Sequence, residues 1–390
     1  MGYVAARGGL EAIRAAEELV RRKRAEGDSP WLELDQLGDR LRLAVDRVMG
    51  EGALWAPELA ARALRQAEGD VIEAAQLLRS HRSTLPRLAV TDTADPDELR
   101  VLRRIVPAYR DPPGPQLLGR TLDYVGRLLD TTPEDELRAE SLRSAVQRST
   151  AMRDAGARAT DVRSATVAGT APAAADARPR RLLELLRERD LLAERRDATD
   201  PEPFDVSTQP VRPGVPRSAR LAVMARAETG ALVNLWYRNI LGPDQHLHEV
   251  TLGEVRHGHL PVTVTHPRSG GPVTVGEVRV TEVEAIEDLD GTDEDCSRFD
   301  VGYGLVLGHN ERKAIAMANL DVAVHRDLAH TAGTSPLEQA VLMTTDGLDA
   351  SGFLEHLKLP HYVTFRSMVE RKQAIRHGTV EHPAPPVPGP

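Results

Sequence analysis

Apolar positions in the first 140 or so residues recur at helical spacing. Between Leu10 and Arg24, the residues Ile13, Ala16, Leu19 and Val20 share one face, and Gly27-Asp28-Ser29-Pro30 ends the segment. A second helix is predicted from about Leu34 to Met49. A third starts near Pro57, where the first turn needs no N–H donor. A fourth follows Asp70, a side chain suited to an N-cap, with Ile72, Ala75 and Leu78 on its apolar face. Further helices are predicted at 97–106 and 116–129, so residues 1–150 read as a block of short antiparallel helices.

Residues 151–217 read as a linker with one charged helix. Small residues dominate 150–180, with few large apolar ones and no stable period, which predicts a mobile connector. The charged helix is expected at 181–195, followed by a Pro-rich stretch through Pro201, Pro203, Pro210, Pro213 and Pro216. Residues 218–375 carry the rest of the fold. A strong helix is predicted from Ser218 to Leu241, containing Leu221, Met224, Ala225, Leu232, Leu235 and Trp236.

After Gly242-Pro243 the period shortens to that of a strand. His248–Val255, Leu260–Thr265 and Val273–Val283 alternate, with turns expected at Gly258-His259 and Gly270-Gly271. A β-meander or small barrel-like sheet follows from that pattern. The C-terminal α/β part comprises a Gly-rich strand and turn at 301–308, a helix at 310–326, an apolar run Ala340–Met343 and helices near 350–357 and 362–375. The Pro-rich residues 376–390 predict a disordered tail. The fold class expected is therefore α+β: an N-terminal helical bundle, a small antiparallel β region and a C-terminal α/β part.

Composition narrows the function. The 390 residues are 41% hydrophobic and 28% charged, which excludes a mostly disordered chain, a collagen and a small disulfide scaffold. The sequence has no apolar run of about 18 residues and its N-terminus has no apolar signal core, so a cytoplasmic protein with no membrane span is expected. A net charge of −9 argues against a general nucleic-acid binder. The single cysteine, Cys296, makes no internal disulfide, and iron–sulfur clusters usually need several.

Candidate chemistry concentrates in the C-terminal half. No P-loop is present. The stretch Gly302-Tyr303-Gly304-Leu305-Val306-Leu307-Gly308 has its third glycine one place late for a dinucleotide fingerprint and reads as a strand with a close backbone turn. After it, His309-Asn310-Glu311-Arg312-Lys313 opens a helix, with Asn310 a good N-cap and Glu311 suited to the helix dipole. Arg312 and Lys313 are unfavourable there unless an anion joins them, so they either point into solvent or form a phosphate cradle. Five histidines, His246, His248, His257, His259 and His266, fit either half-exposed strand positions or a zinc site. In His356-Leu357-Lys358-Leu359-Pro360-His361, Pro360 bends the chain so that two imidazoles could face one point, half of a tetrahedral shell; ordinary surface histidines are the alternative. Arg79, Arg82 and Arg87 close a helix and suit its dipole, or contact an anion or acidic partner.

Five blocks occur in one order: M-G-Y-V-A-A-R-G-G-L-E-A-I, G-A-L-W-A-P-E-L-A-A-R-A-L, L-L-R-S-H-R-S-T-L-P-R-L, G-Y-G-L-V-L-G-H-N-E-R-K-A-I-A-M-A and G-F-L-E-H-L-K-L-P-H-Y-V-T-F. Together they resemble the I subunit of the bacterial carbon–phosphorus lyase core complex. The resemblance implies a phosphonate-degrading machine with G, H, I and J core subunits and an L companion. It implies displacement of the adenine of ATP by an alkylphosphonate, giving a ribose 1-phosphonate 5-triphosphate, and release of the base from purine nucleoside triphosphates by the subunit alone. It implies that His356 and His361 bind Zn2+ at the interface with the radical S-adenosylmethionine J subunit, which or whose substrate completes the shell.

With a triphosphate substrate, His309, Asn310, Arg312 and Lys313 become candidates for binding it. Displacement at an anomeric carbon passes through an oxocarbenium-like transition state and wants a carboxylate near the ribose. Glu311, Glu355 and Asp321 are candidates by their proximity to the two blocks. A non-catalytic scaffold subunit and an independent zinc-dependent hydrolase remain the competing classes.

Overall fold

Asp70 starts a helix as its sequence position predicts: its side chain accepts hydrogen bonds from the backbone N–H groups of Ile72 and Glu73. In the computed structural model, which describes residues 8–124, 127–147, 180–193, 203–241, 251–288 and 296–378, this helix, α5 (Val71–Ser83), ends a run of five. The others are α1 (Gly9–Ala25), α2 (Leu34–Arg40), α3 (Arg42–Gly52) and α4 (Pro57–Gln66), the last with Pro57 in its first turn. The single helix expected over 34–49 is two, because Leu41 leaves the helical region at φ −110° and ψ 32°. The bend lets Leu37 and Val45 enter the same apolar cluster as Met49, Leu64 and Leu78.

Two predicted helices are corrected. Residues 97–106 form a 3-10 turn, Pro96–Glu98, and then strand β1 (Arg100–Ile105). Their apolar residues suit either period, but Arg103 faces one side of the sheet and Arg104 the other, the alternation of a strand. Among the described residues of 116–129 there is no helix; the segment lies along β1, with Leu117 exchanging backbone hydrogen bonds with Arg104. A helical stretch appears at 134–147 instead. Most of the expected connector at 150–180, together with Pro201, the His246/His248 pair and the tail from 379, lies outside the described residues.

The charged helix is shorter than expected, α6 (Leu182–Glu188). The helix predicted over 218–241 is interrupted. α7 (Arg217–Arg226) stops where Ala227 turns extended, and α8 (Thr229–Leu241) begins beside Glu228, whose carboxylate accepts from the N–H groups of Gly230 and Ala231.

The sheet is an open antiparallel meander in the order β1-β2-β3-β4, with β2 (Thr251–Thr265), β3 (Pro272–Asp288) and β4 (Phe299–Leu307). β2 runs straight through Gly258-His259, where a turn was expected. Gly258 serves close approach instead: a Cβ there would sit 2.3 Å from the Arg100 carbonyl oxygen on β1. Antiparallel pairing also rules out the parallel βαβ unit of a dinucleotide site for Gly302–Gly308. Gly302 and Gly304 let β4 lie on α9 (Glu311–His330), since Cβ atoms there would meet the Ala318 and Ala314 carbonyl oxygens at 1.9 and 2.2 Å.

The two sheet faces differ in chemistry. One is apolar: Val255, Val283, Ala285 and Val306 pack on Met317 and Leu320 of α9 and on Met224 and Leu232. Burying each large side chain of this kind contributes about 1.5–3 kcal/mol. The opposite face is ionic. Arg104 bonds Glu254 at 2.6 Å, Arg256 bonds Glu282, and Arg181 at the start of α6 bonds Glu282 and Glu284. Burial pushes the Glu284 carboxyl up to about 8, against the opposing pull of Arg181.

The chain closes with α10 (Pro336–Thr344), α11 (Gly347–Leu357) and α12 (Tyr362–Arg376). Only Leu348 of α11 and no residue of α12 is buried. No helix among the described residues is long and apolar enough to cross a membrane.

Candidate functional site

The N-terminus of α9 is held from three directions. Asn310 caps it, its Oδ1 accepting from the Lys313 N–H at 3.2 Å, while its Nδ2 donates to Thr229 Oγ1 at 2.9 Å. The Asn310 N–H donates to Thr281 Oγ1, whose hydroxyl donates to the Gly308 carbonyl. The His309 N–H donates to Asp46 of α3 at 3.1 Å. The helical block and the sheet therefore meet at this turn.

Histidines and arginines converge there. The His309 ring stacks on that of His257, with centroids 4.2 Å apart and planes 18° from parallel. His257 Nδ1 lies 2.9 Å from the Val280 carbonyl, which requires a proton on that nitrogen. Burial, reinforced by His309, lowers the His257 pKa to about 3 and keeps the ring neutral. Arg42 donates to His309 Nδ1 at 3.3 Å, leaving the proton on Nε2, which faces Glu311 at 3.6 Å. Asp46, fully buried, pairs with Arg42 at 3.3 Å and with Arg279 at 2.8 Å.

Glu311 is also paired with Arg103, which is itself buried and bonds Asp123 at 2.5 Å and the Leu118 carbonyl at 2.6 Å. Burial works against the Glu311 carboxylate, yet bonds from His309 and Arg103 hold it below the usual range.

Arg312 and Lys313 differ in their surroundings. Consecutive helical residues point about 100° apart. Arg312 is exposed, whereas Lys313 is 1% exposed, its ammonium enclosed near Glu51, Arg79, Asp346 and Arg47. Burial lowers its pKa to about 8. The three carboxylates expected near the ribose are dispersed. Asp321 is buried about 15 Å along α9 from Glu311, bonded to Arg217 at 2.5 Å and to the Tyr303 N–H at 3.0 Å. Glu355 is exposed on α11 and paired with Lys358.

The histidine cluster expected on the strands also divides. His257 is buried in the site above, while His259 is partly exposed beside Glu277 and His266 bonds the hairpin turn through Ser269. Arg79 bonds Asp346 and two backbone carbonyls, Arg82 the Ala53 carbonyl and Arg87 Asp205, so all three serve contacts within this chain.

The second histidine pair does converge. His356 ends α11 and His361 precedes α12; their rings lie 5.2 Å apart, near perpendicular at 88°. Two imidazoles on one tetrahedral zinc, with Zn–N of about 2.0–2.1 Å, have centroids about 5 Å apart, so the pair fits a shared ion. Among the described residues no group of three or more histidines, cysteines or carboxylates could hold a metal, so the remaining ligands would have to come from elsewhere. Around the pair lie Phe353, Leu354, Leu357, Tyr362, Val363 and Phe365, each 57–67% exposed.

These features define an α+β protein with a histidine–arginine centre where its helical block meets its meander, and a histidine pair at the junction of two exposed helices. The family described as bacterial phosphonate metabolism protein (PhnI) matches residues 2–379, and the chain belongs to that family. The putative C-P lyase subunit protein HtxH of Stutzerimonas stutzeri is 40% identical, with 98% of each chain covered. Two proteins named alpha-D-ribose 1-methylphosphonate 5-triphosphate synthase subunit PhnI are also similar. That of Escherichia coli is 38% identical over 94% of this chain and 96% of its own. That of Rhizobium meliloti is 34% identical over 98% and 96%.

Proposed function

We propose that the protein is a cytoplasmic subunit of a carbon–phosphorus lyase system and, with G, H and L companions, exchanges the adenine of ATP for a phosphonate. The observation that carries this is near-full-length similarity to two relatives named as subunits of the ribose 1-methylphosphonate 5-triphosphate synthase. In the exchange the ribose C1–N9 bond breaks and its electron pair leaves with adenine, which takes up a proton. A phosphonate oxygen forms the new bond to C1, and the triphosphate is untouched. With water in place of phosphonate the same site acts as a purine nucleoside triphosphate nucleosidase.

The centre at the α9 N-terminus suits such chemistry. The Glu311 carboxylate is kept ionised, and a negative charge near an oxocarbenium-like ribose lowers its energy. His309 is held by Arg42 at Nδ1 and turns Nε2 towards Glu311 at 3.6 Å. Asp321 and Glu355 are engaged away from this centre.

His356 and His361 would hold zinc, with the radical S-adenosylmethionine J subunit or the substrate adding ligands. Bound zinc supplies a positive charge that polarises a coordinated oxygen. The exposed apolar residues around the pair support a partner seated on these two helices, since contiguous apolar surface of this kind marks protein interfaces. Phosphorus NMR of the chain with its companions, ATP and methylphosphonate tests the reading: a ribose-linked phosphonate signal with the triphosphate signals retained is expected. Methylphosphonate and ATP both left unchanged would reject it in favour of a scaffold role.

A further inference from the structure

We propose that a cavity between α8, α9 and the end of β3 binds a free nucleobase. The choice of adenine as the base to test rests on the proposed exchange, in which adenine leaves. The cavity holds about 170 Å³ and is walled by Trp236, Asn239 and Ile240 of α8 and by Asn319 and Ala323 of α9. A cavity of roughly 150 Å³ holds benzene, so a small flat heterocycle has room here. Asn319 and Ala323 lie about 12 and 18 Å along α9 from Glu311, which separates this cavity from the centre at the helix N-terminus.

Three polar groups of the lining lack partners. Asn319 stands between the core residues Ala318 and Leu320 and is only 8% exposed. Its Nδ2 donates to the Ile315 carbonyl at 2.8 Å, while its Oδ1 has no donor among the described residues. The half-buried Asn239 makes no side-chain hydrogen bond among the described residues. The Trp236 Nε1–H is buried and also has no acceptor there. Leaving a buried polar group unbonded costs stability, so a ligand that completes these bonds is favoured.

The chemistry of the wall selects that ligand. The charged residues of the lining, Glu287 and Arg326, are paired with each other, so no unmatched charge attracts an ion. What remains is an indole and two carboxamides. A carboxamide matches the adjacent amine and ring nitrogen of adenine with two hydrogen bonds, and an aromatic wall suits a flat ring. Leu232 and Leu235 of α8 and Ala316 and Leu320 of α9 share one apolar core, so the two helices present a preformed site.

Calorimetric titration of the full chain with adenine tests the assignment. Adenine should bind at one site per chain. Indole, a flat bicycle with no acceptor nitrogen and no amine, should bind about tenfold more weakly or less. Asn239→Ala and Asn319→Leu should each weaken adenine about tenfold, and Ala323→Leu, which fills the cavity, should abolish binding. Asn239→Ala removes a half-buried side chain with no bond to lose, so its melting temperature should match the wild type and misfolding cannot explain its effect. No adenine binding by the wild type, binding unchanged in Asn239→Ala or in Ala323→Leu, or indole bound as tightly as adenine overturns the proposal. Adenine binding that Ala323→Leu abolishes, with no base released from ATP in any subunit combination, upholds the site and rejects the reaction.

Discussion

His257 and His309, 52 positions apart in sequence, stack face to face at 4.2 Å and tie strand β2 to the start of α9. The contact suits a buried, neutral His257 ring, since two imidazolium ions at that distance would repel strongly. His257 is the more deeply committed, with its Nδ1 proton spent on the Val280 carbonyl.

This predicts a specific acid sensitivity. His257 has an ordinary pKa of about 6.5 in the unfolded chain and about 3 in the fold, so below pH 6.5 the unfolded state binds the extra proton. Its contribution is complete above pH 6.5 and is lost as pH falls towards 3, by up to about 1.4 kcal/mol per pH unit. Urea unfolding at pH 7.5 and pH 5 should show His257→Gln losing less stability on acidification than the wild type. Identical slopes would contradict the buried neutral ring.

Arg103 joins β1, the 118–123 segment and α9 through Glu311 and Asp123. Removing one partner of a buried ion pair typically costs about 3–5 kcal/mol. Arg103→Ala should therefore lower the urea midpoint markedly and expose Glu311. A variant as stable as the wild type would mean that the pairs contribute nothing net.

Lys313 should resist acylation in the native protein, whereas Lys358, two-thirds exposed just past the end of α11, should react readily. Mass spectrometry after a brief pulse of an amine-reactive ester distinguishes them. Equal labelling would restore Lys313 as a residue available to a triphosphate.

Zinc in the assembled complex should depend on both His356 and His361, and binding should weaken on acidification, because neutral imidazole is the ligand and protons compete with the metal. Pro360→Ala should weaken the metal less than loss of either ring, since it alters only the bend that brings them together. Metal analysis showing full zinc in the double histidine variant would place the ligands elsewhere.

What the sequence disclosed was what is local. The Asp70 and Asn310 caps, Pro57 in a first turn and the Pro360 bend are decided by residues a few positions apart, and each appears as expected. Residues 100–105 misled because R-V-L-R-R-I places apolar side chains where either period fits, and only pairing with β2 decides for a strand. The arginine–histidine centre was illegible for a related reason. Arg42 and Asp46 lie more than 200 residues from His257, Arg279 and His309, and no local rule brings them to one point. The burial of Lys313 was not legible because helical phase about an N-cap says which way a side chain points, not whether other elements cover it.

The most direct test of the account is the fate of the base. The chain, alone and with its G, H and L companions, is incubated with ATP and the products are separated by chromatography. Free adenine with an intact ribose 5-triphosphate, or its phosphonate adduct when methylphosphonate is added, is the predicted result. ADP and phosphate with no free adenine in any subunit combination would contradict it.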